Sequence, residues 1–600
     1  MANFYKDNED ILFLFKHMDI AGVADVIEEG FKFAKDFDHA PANAAEAAEN
    51  YELVLDAIGK LSGDFIWPRS EGIDRQGSHL CEDGKVKYAD GIKESLDMLA
   101  KAHVMGFTLP HRFGGLNFPN LVYSIAIEMV SRADASLMNI FGLQGIAETI
   151  NAFASEEIKQ KYLHDFASGK VTGAMVLTEP DAGSDLQSCK LKAYQDDKGN
   201  WYLNGVKRFI TNGCGEVLLV LARSEPDRSG GLGLSLFVCD RGPTVHVRRT
   251  EDKLGIHGSP TCELFFDNTP CELIGERRRG LAPYVMSLMN GARIGISGQS
   301  LGIAEAAYRI ARDYAASRKQ FGVAIEKLPA VRDLVIDMKL EIETARALLY
   351  ETSRVVDYDI GYQKKLEFDP PADKEQLKKL KDASRRYGRY AGMLTPMTKY
   401  YSSEMSNRVT YNSIQVLGGS GFMRDYPCER LARDARITTI YEGTSQLQVV
   451  AAVRGVCSGT AEKYITELAA ANYEPQLQDL LDTLKQNTEA MLNAVTFIKD
   501  KGVEYMDLHG RELVDIAICI ICGYLFCQQA GSKFDMEVET APGDNGQKKI
   551  SMKKRKEMIA RRYITRNNSL IKSLIESIHS GNVSSLEQYE ALAGPVPTEK

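Results

Sequence analysis

At 600 residues, with 44% apolar and 26% charged side chains, the chain exceeds what one hydrophobic core supports and has the composition of a multidomain globular protein. A formal charge of −9 over that length carries no positive field toward phosphate backbones, which excludes nucleic acid as a default partner. Only the short apolar run Ile11 to Phe15 stands near the N-terminus, behind Asp7, Glu9 and Asp10 rather than a basic leader. Ile516 to Phe526 is shorter than the roughly eighteen apolar residues a bilayer requires, so a cytoplasmic protein without a transmembrane segment is expected. Eleven cysteines, an odd and scattered set, fit reduced thiols rather than a disulfide framework.

From residue 1 to 165 apolar residues recur at spacings of three and four, as in Ala89 to Met105 and Leu121 to Ala133, with Pro110, Gly114, Gly115 and Pro119 between the runs. That pattern predicts an α-helical N-terminal domain. Near Thr172 the texture changes. GAMVLTEP, KLKAYQDDKGNWYLNGVKRFIT, VLLVLARS and GLSLFVCD are short alternating or wholly apolar runs broken by Asp-Lys-Gly-Asn and Asn-Gly turns, which predicts a middle β domain over 166–280.

Helices return over 281–455, where Gly291 to Lys319 and Asp382 to Gly418 are long enough to pack as a bundle. Gly295, Gly298 and Gly302 weaken the first of these as a helix, and their lack of bulk allows a neighbour or ligand to come close. The stretch 358–375, with Pro370 and Pro371, reads as a loop inserted between bundle helices. A helical extension over 456–600 contains Glu474 to Lys499, Arg511 to Gln529 and Lys548 to Ile578, with the acidic linker Asp535 to Gln547 before the last. Its CxxC, Cys519 and Cys522, lies in an apolar run with no second ligand pair, so core packing is expected and no metal. A basic run from Lys548 through Lys549, Lys553, Lys554, Arg555, Lys556, Arg561 and Arg562 to Arg566 is either a solvated face or a docking surface for an acidic redox partner or a membrane.

In the segment Arg433 to Gln448 a carboxylate, Glu442, stands isolated between Tyr441 and Gly443. Desolvation there would raise its pKa and make it a general base; the alternative is a loop carboxylate capping a helix that begins near Ser445.

Five motifs stand in order: Val176-Leu-Thr-Glu-Pro-Asp-Ala-Gly-Ser-Asp185, Phe209-Ile-Thr-Asn-Gly213, Arg318-Lys-Gln-Phe-Gly322, Gln415-Val-Leu-Gly-Gly-Ser-Gly-Phe422 and Ile440-Tyr-Glu-Gly-Thr-Ser-Gln446. Over about residues 90 to 455 the chain strongly resembles the acyl-CoA dehydrogenase family. The resemblance implies a mainly α fold with a central β domain: N-terminal helices, a β-barrel-like middle domain and a C-terminal four-helix bundle. The segment beyond Gly455 and Leu254-Gly-Ile-His-Gly-Ser-Pro-Thr261 resemble the extended members of the family, whose added helices imply a homodimer.

The resemblance also implies FAD, with Glu442 removing the α-proton of an acyl-CoA thioester while the β-hydrogen leaves as hydride to flavin N5, forming a trans-2-enoyl-CoA. The backbone N–H of Glu442 and a ribityl hydroxyl of FAD would stabilise the developing enolate. Some members carry the base before a bundle arginine instead; here that arginine matches Arg293 and the preceding residue is Ala292, which cannot accept a proton. Arg293 would order the loop of Glu442 and Gly443. Leu177 and Thr178 would lie against the flavin ring, Gly183 and Ser184 would form the turn beneath it, and Thr211 would reach its N5 edge. Ser184, with Glu442, would also meet the substrate. Phe209 stands where tryptophan is common, keeping an aromatic wall without the indole N–H. Arg318, with Gln320 and Phe321, would hold the FAD pyrophosphate of a neighbouring subunit. Gln415, Gly418 and Gly419 would line the adenosine end, and Thr444 and Gln446 would return to the cofactor.

The function expected is therefore an acyl-CoA dehydrogenase of fatty-acid β-oxidation that passes electrons to electron-transferring flavoprotein. Two rival readings are an acyl-CoA oxidase using oxygen and a non-catalytic flavoprotein that binds nucleic acid or a partner; an intact Glu442 argues against the second. Straight-chain, branched, aromatic and thioether acyl groups all remain open.

Overall fold

The computed structural model describes residues 2–540 and 549–597. The chain packs as two compact units, one of Met1–Tyr387 and Thr398–Ser445, the other of Gly388–Met397 and Gln446–Lys600.

In the first unit the N-terminal helix Glu9–His17 starts at Asn8, whose side chain accepts from the amides of Asp10 and Ile11. Three later helices are α1 (Asn120–Ala133), α2 (Ala135–Gly142) and α3 (Ile146–Phe153). α1 has no capping side chain of its own. The distant Asp357 carboxylate accepts from the amides of Asn120 and Leu121 at 2.7 and 2.9 Å and serves instead.

The middle region is a seven-stranded sheet of β1 (Gly173–Val176), β2 (Lys192–Gln195), β3 (Trp201–Thr211), β4 (Val217–Arg223), β5 (Leu234–Asp240), β6 (Val245–Thr250) and β7 (Thr261–Ile274). The order is β1-β4-β2-β3-β7-β5, and β5 also pairs with β4, so the sheet closes on itself and β6 hangs on β7. β4 is apolar on both faces because it packs between two cores. Asp196 makes the tight β2–β3 turn by accepting from the amides of Lys198 and Asn200, with Gly199 at φ 85°. β3 shifts register against β7 between Lys207 and Ile210, a bulge that re-aims the side chains there.

Three long helices follow: α4 (Met286–Ser317), α5 (Pro329–Phe368) and α6 (Lys374–Leu417). The loop expected at 358–375 is a helix for most of its length; only residues 369–373 link α5 to α6. Val355, Tyr358 and Gly361 are buried at helical spacing and carry α5 onward, so Pro370 and Pro371 mark its end rather than an insertion. Two of the three α4 glycines mark a close helix crossing. A Cβ on Gly302 would lie 2.4 Å from the Glu128 carbonyl oxygen, and one on Gly298 would lie 2.7 Å from Ile127 Cγ2, both on α1.

A wholly buried polar cluster joins four helices of this unit. Arg346 on α5 donates to Asp10 at 2.6 Å, to Glu128 at 2.6 Å and to Glu305 at 2.9 Å, and the Tyr350 hydroxyl donates to Glu128 at 2.7 Å. The three carboxylates hold the guanidinium well above its usual range once the opposing cost of burial is met.

The second unit contains α7 (Gln478–Lys501), α8 (Gly510–Ala530) and α9 (Met552–His579), which pack on one another. By length and hydropathy α8 could cross a membrane, although its apolar run alone is too short; 89% of that window is buried within the structure, so it is accounted for as a core helix. Cys519 and Cys522 are buried in α8, burial raises both thiols, and no cluster of metal-ligating residues occurs among the described residues. Much of the basic run is paired inside this unit: Arg561 with Asp479 and Glu557, Lys554 with Glu557, and Lys556 buried with its ammonium 5.8 Å from the Phe526 ring centroid. Lys548 and residues 541–547 of the acidic linker lie outside the described residues.

Candidate active site

Helix Cys428–Arg436 ends in the short turn Ile437–Thr439, and the chain then makes a tight corner before the helix that starts at Ser445. Glu442 at φ 55° and Gly443 at φ 90° form that corner. A glutamate in the left-handed region is strained by about 1–2 kcal/mol, so its neighbours must hold it there. On one side the Tyr441 hydroxyl donates to Gln299 of α4 and to Asn139 of α2, and Gln299 in turn donates to Asn139 at 2.7 Å and to the Ala135 carbonyl at 2.9 Å. On the other, the buried ammonium of Lys399 on α6 donates to the Gly443 carbonyl at 2.7 Å. Ser445 donates to Glu404 at 2.6 Å.

This placement sets the electrostatics. Burial pushes the Glu442 carboxyl up to about 7, against the opposing pull of Lys399 and then Arg293. Burial likewise brings the Lys399 ammonium down to about 7, with Glu442 favouring and Arg293 disfavouring its charge. Arg293 is lowered by burial and supported by Glu442. Its Nη1 donates to Asn290 at 3.1 Å, and its buried Nε has no hydrogen-bond partner among the described residues. Lys399, Gln299 and Asn139 were not legible as site residues. The one available signal was a lysine inside the otherwise uncharged stretch Met393 to Ser403.

Glu442 opens on a cavity of about 830 Å³ bounded by α2, α3, the start of α4 and the end of α5. Thr211 of β3 and Gly291, Ala292 and Gly295 of α4 line the same space. The alternative base position, Ala292, thus faces the cavity but brings no carboxylate to it.

The other expected cofactor residues fall into groups. Buried Lys207 donates to the Leu177 carbonyl at 2.6 Å and pairs with Glu179 at 2.9 Å, and the Arg208 amide donates to the Thr178 carbonyl, so the 177–179 segment is pinned to the β3 bulge. At that bulge Phe209 has φ 59° and is 52% exposed, with the Arg208 guanidinium 4.6 Å from its ring centroid. A Cβ on Gly183 would meet only Thr178 Cγ2, at 3.9 Å, and Ser184 is exposed beside it. The second group lies at the far end of α4. Arg318 caps that helix and enters a hairpin with Gln320 exposed and Phe321 90% exposed at its tip. Tyr314 donates to Ser420, next to Gly418 and Gly419, where added Cβ atoms would meet nothing; Gln415 is exposed one turn earlier. No hydrogen bond or ring contact joins the two groups among the described residues. Thr444 lies beside Gly443 in the first unit, and Gln446 belongs to the second unit.

These residues fit an FAD. Phe209 and Phe321 leave apolar rings uncovered where a flat ring system would cover them, hydroxyls of Thr178 and Thr211 can serve ring heteroatoms, and Arg318 has no ion pair among the described residues.

Family models match most of the chain: acyl-CoA dehydrogenase N-terminal domain at 71–170, middle domain at 174–269, C-terminal domain at 279–364 and 377–456, and a further acyl-CoA dehydrogenase C-terminal model at 457–540. An acyl-CoA dehydrogenase of Bacillus subtilis is 35% identical over 60% of this chain and 89% of its own length. A chain from the electron transferring flavoprotein structure of Acidaminococcus fermentans, concerned with flavin-based electron bifurcation, is 31% identical, with a TM-score of 0.57, covering 68% of this chain and 98% of that one. An acyl-CoA dehydrogenase of Bacillus anthracis complexed with FAD shares the fold over 92% of both chains at 21% identity, with a TM-score of 0.71.

Proposed function

Because the chain belongs to the acyl-CoA dehydrogenase family, whose members are FAD enzymes, we propose that Glu442 starts the α,β-dehydrogenation of an acyl-CoA thioester to the trans-2-enoyl-CoA. The observation that carries this reading is a carboxylate in a strained corner, opening on the large cavity and held near the pH at which a general base works best. Glu442 accepts the α-proton. Its own backbone N–H serves the thioester oxygen as negative charge develops there. Lys399 fixes the Gly443 carbonyl and lends positive charge when protonated, which keeps a share of Glu442 ionised near neutral pH. Arg293 acts in the same sense. FAD, when bound, supplies the acceptor for the β-hydride.

Leu177, Thr178, Phe209 and Thr211 would form the ring-binding wall, Gly183 and Ser184 the turn beside it, and Thr444 and Gln446 further contacts. Arg318, Gln320, Phe321, Gln415, Gly418 and Gly419 would hold the phosphate and adenosine end of an FAD bound mainly by a second subunit. The separation of the two groups and the exposed apolar side chains Phe321, Phe422 and Met423 support a homodimer. Electrons would pass to an electron-transferring flavoprotein, a reading supported by the Acidaminococcus neighbour. A cytoplasmic place in fatty-acid β-oxidation follows from the same reading.

The test is reduction of the purified holoenzyme by a panel of acyl-CoAs under anaerobic conditions, followed by exposure to air. Substrate-dependent bleaching with slow reoxidation is expected. Rapid reoxidation with stoichiometric peroxide would assign the protein as an oxidase.

A further inference from the structure

The wall of the cavity on α3 carries chemistry that a pocket for a plain hydrocarbon chain does not need. Glu148 lies in the first turn of α3 and lines the cavity with Thr108 and Tyr123. The Thr108 hydroxyl donates to Oε1 of Glu148 at 2.5 Å, and Oε2 has no hydrogen-bond donor among the described residues. The Tyr123 hydroxyl, on α1, likewise makes no hydrogen bond among them, although its ring is fixed against Phe107 and Phe141 at centroid distances of 5.3 and 6.0 Å. The protein thus sets a half-buried carboxyl and a half-buried phenol, each with an oxygen unmatched by the protein, on the wall of the space that Glu442 also faces. Both oxygens open on the cavity, and an apolar acyl chain that filled it would displace the water there without replacing its hydrogen bonds.

We propose that Glu148, Thr108 and Tyr123 form a polar subsite for the acyl group, and that the protein's substrates are acyl-CoA thioesters whose chain carries a hydroxyl substituent. This rests on the dehydrogenase reading above. A hydroxyl donates to Glu148 Oε2 and accepts from the Tyr123 phenol, which satisfies both unmatched atoms with one group. A carboxylate substituent is disfavoured by Glu148 itself. An ammonium substituent is disfavoured by Lys364, which also lines the cavity and stands within electrostatic reach of Glu148. Burial raises the Glu148 carboxyl, opposed by the Thr108 hydrogen bond and by Lys364. Its protonated form can still donate to the same hydroxyl.

The experiment compares kcat/KM of the FAD-loaded enzyme, with an artificial electron acceptor, for pairs of acyl-CoAs of equal chain length with and without a hydroxyl toward the chain end. Wild type is expected to prefer the hydroxylated member by at least about tenfold, in line with sites built to hydrogen-bond a substrate hydroxyl. Glu148→Leu is expected to abolish or reverse that preference, Glu148→Gln to retain part of it, and Tyr123→Phe to weaken it, with FAD content reporting that each variant is folded. Preference of wild type for the plain chains would overturn the proposal even if no variant folds. So would an equal loss for both members of every pair in Glu148→Leu, which would assign the contact to the CoA portion. Absence of turnover on every acyl-CoA would instead overturn the dehydrogenase reading, and the subsite with it.

Discussion

Replacing Glu442 by Gln should stabilise the protein in a pH-dependent way. The folded state holds this carboxyl at about 7, whereas an unfolded chain leaves it at about 4.3. Between those values the folded state binds the extra proton, so stability is lost as pH rises from about 4 to about 7, and above 7 the full cost of an ionised, poorly solvated Glu442 is present. The shift corresponds to roughly 4 kcal/mol, which water in the adjoining cavity trims to about 2 kcal/mol. Glutamine fills the same space without a charge. Thermal unfolding of FAD-loaded wild type and Glu442→Gln between pH 5 and pH 8 measures the difference. The variant should gain a few degrees on wild type at pH 8 and progressively less toward pH 5, consistent with about 2 kcal/mol in a large protein. Any constant offset reflects the amide and is irrelevant. A gap that does not change with pH, or that widens toward pH 5, refutes the assignment of a raised carboxyl at this corner.

Three further outcomes follow from named contacts. Lys399→Met removes a charge that favours ionised Glu442, so the ascending limb of the kcat profile should move to higher pH by about one unit, a roughly tenfold loss at the acid end; an unmoved limb in a folded, FAD-loaded variant contradicts the coupling. Arg346→Met leaves Asp10, Glu128 and Glu305 facing one another in the core and should cost about 3–5 kcal/mol, read as a marked fall in unfolding temperature; stability within about 1 kcal/mol of wild type would show the cluster to be dispensable. Gly302→Ala forces α4 away from α1 at the Glu128 carbonyl and should cost about 1–3 kcal/mol by the same assay, whereas Gly291→Ala, whose Cβ would meet nothing, should be close to neutral.

Sequence periodicity made the helical and β regions legible because each element buries a repeating face. β4 could be read from its unbroken apolar run, and α1 from its spacing of three and four. Where it misled, at 358–375, two adjacent prolines outweighed a periodic pattern that runs to Phe368, and the α5 helix stops at the prolines rather than before them by a whole segment. Glu442 could be found from its motif, but its strained corner and raised pKa could not: the corner is held by Lys399, Gln299 and Asn139, and the pKa is raised by burial against the pull of Lys399, all of which arise only in the folded unit. Gly298 and Gly302 were readable as sites of close approach, and the structure supplies α1 as the neighbour. Glu148 gave no signal at all: a glutamate on a short helix looks like any solvated residue until Thr108 and Tyr123 are brought around it from two other segments.

The central claim, that Glu442 is the base, is tested most directly by mixing FAD-loaded wild type and Glu442→Gln with acyl-CoA in an anaerobic stopped-flow instrument. Wild type should bleach its flavin band with the substrates it turns over. The variant should retain FAD and perturb its flavin spectrum on binding the same acyl-CoA, yet show no bleaching. Bleaching of the variant at a rate near that of wild type would contradict the assignment.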